Sequence, residues 1–178
     1  YGWLAGMVLG GCRRPVILVD WSPLAGEGGV HVLRAAVAVG GRALPIYEEV
    51  HERMGTRHLH GRFLIRLAAL LGDGCQPIVV TDAGFRTWWY ELVEARGWHY
   101  VGRVRNRDLL RRPDEAGWWS NKDLHRIATP SAKSLGALWL SKGRPLLTRF
   151  YLVKKRRKGR SKHTRLGKRC RSGQSEKH

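Results

Sequence analysis

Two short apolar runs, far apart in the chain and each ending on an aspartate, constrain this sequence more than any other feature. Val16-Ile17-Leu18-Val19 leads into Asp20, and Pro77-Ile78-Val79-Val80-Thr81 leads into Asp82. Neither run alternates with polar residues, which is the pattern of a sheet strand covered on both faces. Between them lie two more strand-like stretches, residues 30–39 and 42–50, on either side of Gly40-Gly41. Paired glycines permit the positive φ angles of a tight hairpin turn. Pro45 has no N–H to give to a ladder, so the strand that contains it belongs at an edge. Leu59, Phe63, Leu64, Leu67, Leu70 and Leu71 then recur at helical spacing, and Gly72 offers a left-handed stop. After Asp82, Ala83-Gly84 turns into a second helix over residues 85–96, and residues 98–105 alternate as a strand does.

Three antiparallel strands followed by a helical crossover to a strand parallel to the first predict an α/β fold of the ribonuclease-H-like type. That fold is a mixed sheet flanked by helices. In such a sheet a crevice opens where the chain direction changes, at the carboxyl ends of the strands. Asp20 and Asp82 are expected there, on adjacent strands. The core so predicted covers residues 16–105, and residues 1–15 read as the end of a preceding segment. Residues 106–153 predict a β-rich insertion, with loop around Trp118-Trp119-Ser120-Asn121 and strands over 135–141 and 145–153. Residues 154–178 hold 12 Lys/Arg against one Glu. Such a segment cannot bury a core and is expected to be disordered alone.

Composition narrows the function. The formal net charge is +19 in 178 residues and the pI is about 11, a field that attracts a polyanion. No apolar run reaches the length of a membrane span and no signal peptide opens the chain, so nucleic acid is preferred over a membrane and a cytoplasmic, nucleoid-associated setting is expected. Eight Trp residues fit the same partner. Cys12, Cys75 and Cys170 are three and widely spaced, which argues against a disulfide framework or a zinc site. His58 and His60 read as ordinary surface or core residues. The chain opens on Tyr1 and reads as a fragment.

Two carboxylates gathered from distant positions repel each other unless cations lie between them. Mg²⁺, or Mn²⁺ in its place, takes hard oxygen ligands and suits phosphate chemistry, and two such ions would stabilise the attacking and leaving oxygens of an in-line displacement. The plainer reading is that each Asp is a turn residue, with Asp82 capping the helix near Phe85. Arg103 and Arg105, on one side of their strand, either grip a phosphate or form a solvated face. Lys154, Lys155, Arg156, Arg157, Lys158 and Arg160 form a generic polyanion-binding segment. Trp88, Trp89 and Trp98 read as core; Trp118-Trp119 is the better base-stacking candidate.

Asp20-Trp21-Ser22, Leu33-Arg34-Ala35, Gly41-Arg42-Ala43-Leu44 and Tyr47-Glu48, followed by Thr81-Asp82-Ala83-Gly84-Phe85, Trp89-Tyr90, Gly97-Trp98 and Arg103-Val104-Arg105, resemble the catalytic core of insertion-sequence transposases. The group is family four, that of the hairpin-forming Tn-five and Tn-ten enzymes, and the Tn-ten branch is the more similar. The resemblance implies a DDE transposase in which Asp20 and Asp82 hold Mg²⁺ together with a Glu. It also implies double-stranded DNA substrates (transposon ends and target), a homodimer, and cleavage through a hairpin intermediate followed by strand transfer. The family's third motif is Tyr, two residues, Arg, three residues, Glu, six residues, Lys. Neither Tyr151, followed by Lys154, nor Glu176 stands in that pattern. The chain is therefore expected to be cropped and inactive alone. The rival class is a non-catalytic, basic nucleic-acid-binding protein or a relic; a pure phosphate binder would gain nothing from paired acids in its cleft.

Overall fold

The computed structural model describes residues 2–24, 29–105, 107–154, 161–163 and 169–171. The chain divides into two compact units, Tyr1–Arg105 and Asn106–His178. The first begins with helix α1 (Gly2–Leu9), followed by β1 (Val16–Pro23), β2 (His31–Val39) and β3 (Arg42–His51). Helix α2 (Arg57–Leu71), β4 (Ile78–Thr81), α3 (Thr87–Glu94) and β5 (His99–Gly102) complete it. Residues 1–15 are not a mere lead-in, because α1 packs on α2 and fully buries Ala5.

The five strands form one mixed sheet in the order β3-β2-β1-β4-β5. The pairs β1–β2 and β2–β3 are antiparallel, whereas β1–β4 and β4–β5 are parallel. Gly40 and Gly41 turn the β2–β3 hairpin with φ of 56° and 76°, angles that cost glycine little. β3 is an edge strand, and its register shifts at Pro45, leaving Ile46 as the extra residue of a bulge. Helix α2 starts where the Thr56 hydroxyl accepts the Leu59 N–H at 3.2 Å, and it ends at Gly72 with φ 79°.

α2 buries His60, Phe63, Leu64 and Leu67, and α3 buries Thr87, Trp89, Tyr90 and Val93. These stripes meet the face of the sheet that carries Ile17, Val19, Leu33, Ala35 and Val79, all 1% exposed or less. Register puts Val16, Leu18 and Asp20 on the opposite face, with Val80 and Val101 beside them. There Val16 is 38% and Val101 57% exposed. The sequence expectation of strands covered on both faces is therefore corrected: among the described residues, helices cover one face only. The other boundaries also move. β5 stops at Gly102, where residues 98–105 were expected as strand, and α3 is two residues shorter at each end than the expected 85–96.

At the last residue of β5, Gly102 lies against Tyr90. A Cβ there would overlap the hydroxyl and ring edge of Tyr90, a buried side chain whose hydroxyl lies 3.4 Å from Thr81 Oγ1. Gly102→Ala should therefore lower stability by about 1–3 kcal/mol, the usual cost of overpacking a filled core. The midpoint of urea unfolding followed by tryptophan fluorescence reads this; an unmoved midpoint would show that Tyr90 yields freely.

The second unit contains β6 (Leu109–Arg111), β7 (Trp119–Ser120), a 3₁₀ helix (Asn121–Ile127), β8 (Lys133–Leu140) and β9 (Leu146–Leu152). They form an antiparallel sheet in the order β7-β6-β8-β9 over buried Leu110, Leu138, Leu140, Leu146 and Phe150. Part of the loop expected at 118–121 is strand, since Trp119 pairs with Leu110. In the basic tail, β10 (Ser161–His163) and β11 (Arg169–Arg171) pair antiparallel.

Candidate active site

The parallel pairing of β1 with β4 runs from Val16↔Ile78 to Val19↔Thr81. The next residue on each chain is an aspartate, Asp20 and Asp82. β4 stops at this point, whereas β1 continues to Pro23 against β2, so Asp20 lies inside its strand and not at its end as expected. Neighbouring strands are about 4.8 Å apart, which makes the two acids neighbours across the end of the parallel ladder. Their interaction is visible in Asp20. Shielding by the surrounding protein pushes its carboxyl above the ordinary value, and the Asp82 charge pushes it further. The Trp21 backbone N–H and the Arg34 guanidinium act in the opposite direction without overturning the rise.

Asp82 does not cap α3. The helix begins at Thr87 with Arg86 in the capping position and no side-chain cap. Asp82 Oδ1 instead accepts the Gly84 N–H at 2.7 Å, and a Cβ on residue 84 would stand 2.8 Å from that oxygen. The Ala83-Gly84 turn is thus built around the carboxylate, leaving Oδ2 for other partners.

On the other side of Asp20 stands Arg34, directly opposite on β2, and next to Arg34 stands Glu48 on β3. Arg34 and Glu48 form an ion pair. A row of Asp82, Asp20, Arg34 and Glu48 therefore crosses the sheet. Beside it Leu18, Ser22, Arg34, Ala36 and Ala43 line a shallow groove of about 210 Å³ together with Asp20. Among the described residues, no group of three or more His, Cys, Asp or Glu is arranged to hold a metal ion.

Of the basic residues expected at the site, Arg103 and Arg105 follow β5 instead of alternating along it. They share no strand face, which corrects the expectation that one side of a strand presents both. Arg103 does hold its backbone beside the end of β4, donating its N–H to the Thr81 carbonyl at 3.3 Å. Lys154 belongs to the second unit, where its N–H donates to the Thr129 carbonyl at 2.7 Å. Lys155, Arg156, Arg157, Lys158 and Arg160 lie outside the described residues. Trp89 and Trp98 are core residues at 0% and 6% exposure. No helix of the described residues is long and apolar enough to cross a membrane.

No protein-family model, curated protein or solved structure matches the chain. The site must be read from its own chemistry.

Sequence reasoning missed a polar cluster on the helix-covered face. Trp21 Nε1 donates to His60 Nε2 at 3.1 Å, and the indole stacks edge-on against His51 and His31. Glu49, 9% exposed, accepts from the Tyr47 hydroxyl at 2.5 Å and from Arg66 at 3.0 Å, and its second oxygen lies 2.9 Å from His51 Nε2. Burial works against the Glu49 carboxylate. The Tyr47 and Arg66 bonds and the charges of Arg66 and His51 overturn that and hold it below its usual range. Burial, aided by His51, lowers His60 to about 4. The signal was in the alternation: Tyr47, Glu49 and His51 sit two apart on β3, on the face where Leu33 and Ala35 are buried.

Proposed function

We propose that the first unit is a ribonuclease-H-like core of a DDE-type DNA transposase, in which Asp20 and Asp82 bind Mg²⁺ or Mn²⁺ for strand cleavage and transfer on double-stranded DNA. One observation carries this reading: two carboxylates, 62 residues apart in sequence, follow the last pairs of one parallel ladder, and Asp82 raises the Asp20 pKa. Repulsion between acids is a cost that a hydrophobic or neutral pair would avoid, and a divalent cation removes it. The strand order β3-β2-β1-β4-β5 supports the fold expectation, and the Asp20 and Asp82 blocks support the family expectation.

The residues fit a hard cation. Asp82 Oδ2 and the Asp20 carboxyl supply oxygen ligands, and the Gly84 N–H fixes the Asp82 side chain so that little rotamer freedom is lost on binding. When bound, divalent ions would polarise a phosphodiester and activate its attacking hydroxyl. Arg34, tied to Glu48, limits how far positive charge can reach Asp20. The exposed Val16 and Val101, on the same face of the sheet as Asp20, are suited to receive a further element, and in the resembled family the helix with the third carboxylate packs on the core.

A second reading, non-catalytic nucleic-acid binding, is favoured by charge distribution: 21 of the 33 Lys/Arg lie from Asn106 onward, against 5 Asp/Glu. Cation binding separates the two. Mn²⁺ titrated into the chain and followed by electron paramagnetic resonance should show weak binding, and Asp20→Asn or Asp82→Asn should each weaken it about tenfold or more, the effect of losing one of two charged ligands. Equal binding by all three proteins would leave only the second reading.

A further inference from the structure

Among the described residues, the sheet of the second unit has one buried face and one that is not. Along β9 the side chains alternate cleanly: Leu146 and Phe150 are buried, whereas Leu147, Arg149 and Tyr151 are exposed, Leu147 at 43% and Tyr151 at 66%. Directly opposed residues of a ladder share a face, and the register pairs Leu147 with Trp139 and Trp139 with Arg111. Trp139 and Arg111 therefore stand on the open face with Leu147, Arg149 and Tyr151. The Arg111 guanidinium carbon sits 5.4 Å from the centre of the Trp118 ring and 5.9 Å from that of Trp139. Both are cation–π distances. Arg111 Nη1 also donates to the Glu115 carbonyl at 3.3 Å, which fixes the guanidinium between the two indoles.

Across the sheet this makes a row of Trp118, Arg111, Trp139 and Leu147, with Arg149 and Tyr151 following at two-residue steps along β9. A β-strand rises about 3.3 Å per residue, so Leu147 and Tyr151 are roughly 13 Å apart. The open face thus offers aromatic surface at two separated points with an arginine between them.

A packing role accounts for Trp118, Arg111 and Trp139, which support one another and are half-buried. It does not account for Tyr151 and Arg149, which cover nothing in their own sheet. Charge says what would cover them. The unit carries 21 Lys/Arg against 5 Asp/Glu, which favours a polyanion and disfavours a basic or neutral protein partner. Aromatic rings on an open sheet face, with arginine between them, match unpaired bases and their phosphates. The bases of a duplex are already stacked and leave no face free.

We propose that the open face of the β7-β6-β8-β9 sheet is a stacking platform for a single-stranded nucleic acid, with Tyr151 and Trp139 taking bases and Arg149 a phosphate. The proposal uses none of the residues of the Asp20–Asp82 pair, and it remains if the cleavage reading fails.

The test uses the full chain and a fluorescein-labelled dT12, alone or as the duplex with dA12, with binding read by anisotropy over a range of salt concentrations. Tyr151 is exposed, so Tyr151→Ala leaves the core intact. It should weaken dT12 binding about tenfold, within the range for losing one base–aromatic stack, while the duplex changes less than twofold. Tyr151→Phe, which keeps the ring, should bind as the parent does. Arg149→Ala should lower the slope of log affinity against log salt for dT12 by about 1, the signature of one lost phosphate contact. Equal losses for dT12 and duplex in Tyr151→Ala would overturn the platform in favour of general phosphate attraction. Unchanged dT12 affinity in both Tyr151→Ala and Arg149→Ala would overturn it outright.

Discussion

Acidification from pH 6.5 to 4 should remove about 3 kcal/mol of stability from the first unit through His60 alone. Its ordinary value is 6.5 and burial lowers it to about 4. A histidine with a depressed folded value binds its proton more readily when unfolded, so its contribution is fully present above 6.5 and lost as pH falls toward 4. A tenfold difference in proton affinity between the folded and unfolded chain is worth about 1.4 kcal/mol, which sets the size. The geometry explains the depression. Trp21 Nε1 is a donor only and points at His60 Nε2, so protonating that nitrogen would oppose two donors. Aromatic rings enclose the imidazole, with Phe85, Trp88 and Trp89 centred 5.5, 4.8 and 4.9 Å away. The titratable and charged groups facing the cluster are His51 and Glu49 from β3 and Arg66 from α2. Glu49 is depressed and adds its own loss, but only below about its ordinary 4.5, and the raised Asp20 carboxyl acts with the opposite sign, so the His60 share is read as the difference that removing the imidazole makes. Urea unfolding at several pH values, followed by tryptophan fluorescence, should show about 2 kcal/mol lost by pH 5. His60→Phe should flatten that dependence; an unchanged slope would assign the acid sensitivity elsewhere.

The sheet was legible in the sequence because its signals were local and redundant. Gly40-Gly41 needed positive φ, Pro45 needed an edge, and two Val/Ile runs needed burial. Hence the β1–β2–β3 meander and the strand that leads into Asp82 fall where periodicity put them. Three kinds of feature escaped. Helix α1 has no polar face to give it a period: Gly2–Leu9 is apolar throughout, and only its docking on α2 reveals it. The close approach of the Tyr90 ring to Gly102 joins residues twelve apart, a contact that no strand pattern encodes. The Trp21–His60–His51–Glu49 cluster spans two strands and a helix, and its chemistry emerges only once the elements are assembled. Around the two aspartates, the sequence pointed to adjacent strands, which the register shows, but not to their neighbours. Asp82 serves its turn through Gly84, and Arg34, which the sequence did not single out for the site, stands opposite Asp20 on the adjoining strand.

Cleavage of supercoiled plasmid shows whether Asp20 and Asp82 act together through divalent ions on a phosphodiester. Two carboxylates hold such ions weakly, so the 178-residue chain with Mg²⁺ should leave the plasmid intact. A version extended to carry the Tyr, Arg, Glu and Lys motif of the resembled family should convert supercoiled to nicked and linear DNA. Metal ions contribute several kcal/mol to such reactions, so Asp20→Ala or Asp82→Ala in that version should slow cleavage on the order of a hundredfold or more. The double substitution should be little worse than either single one, because the two residues act as a unit. Nicking that survives both substitutions would contradict the account.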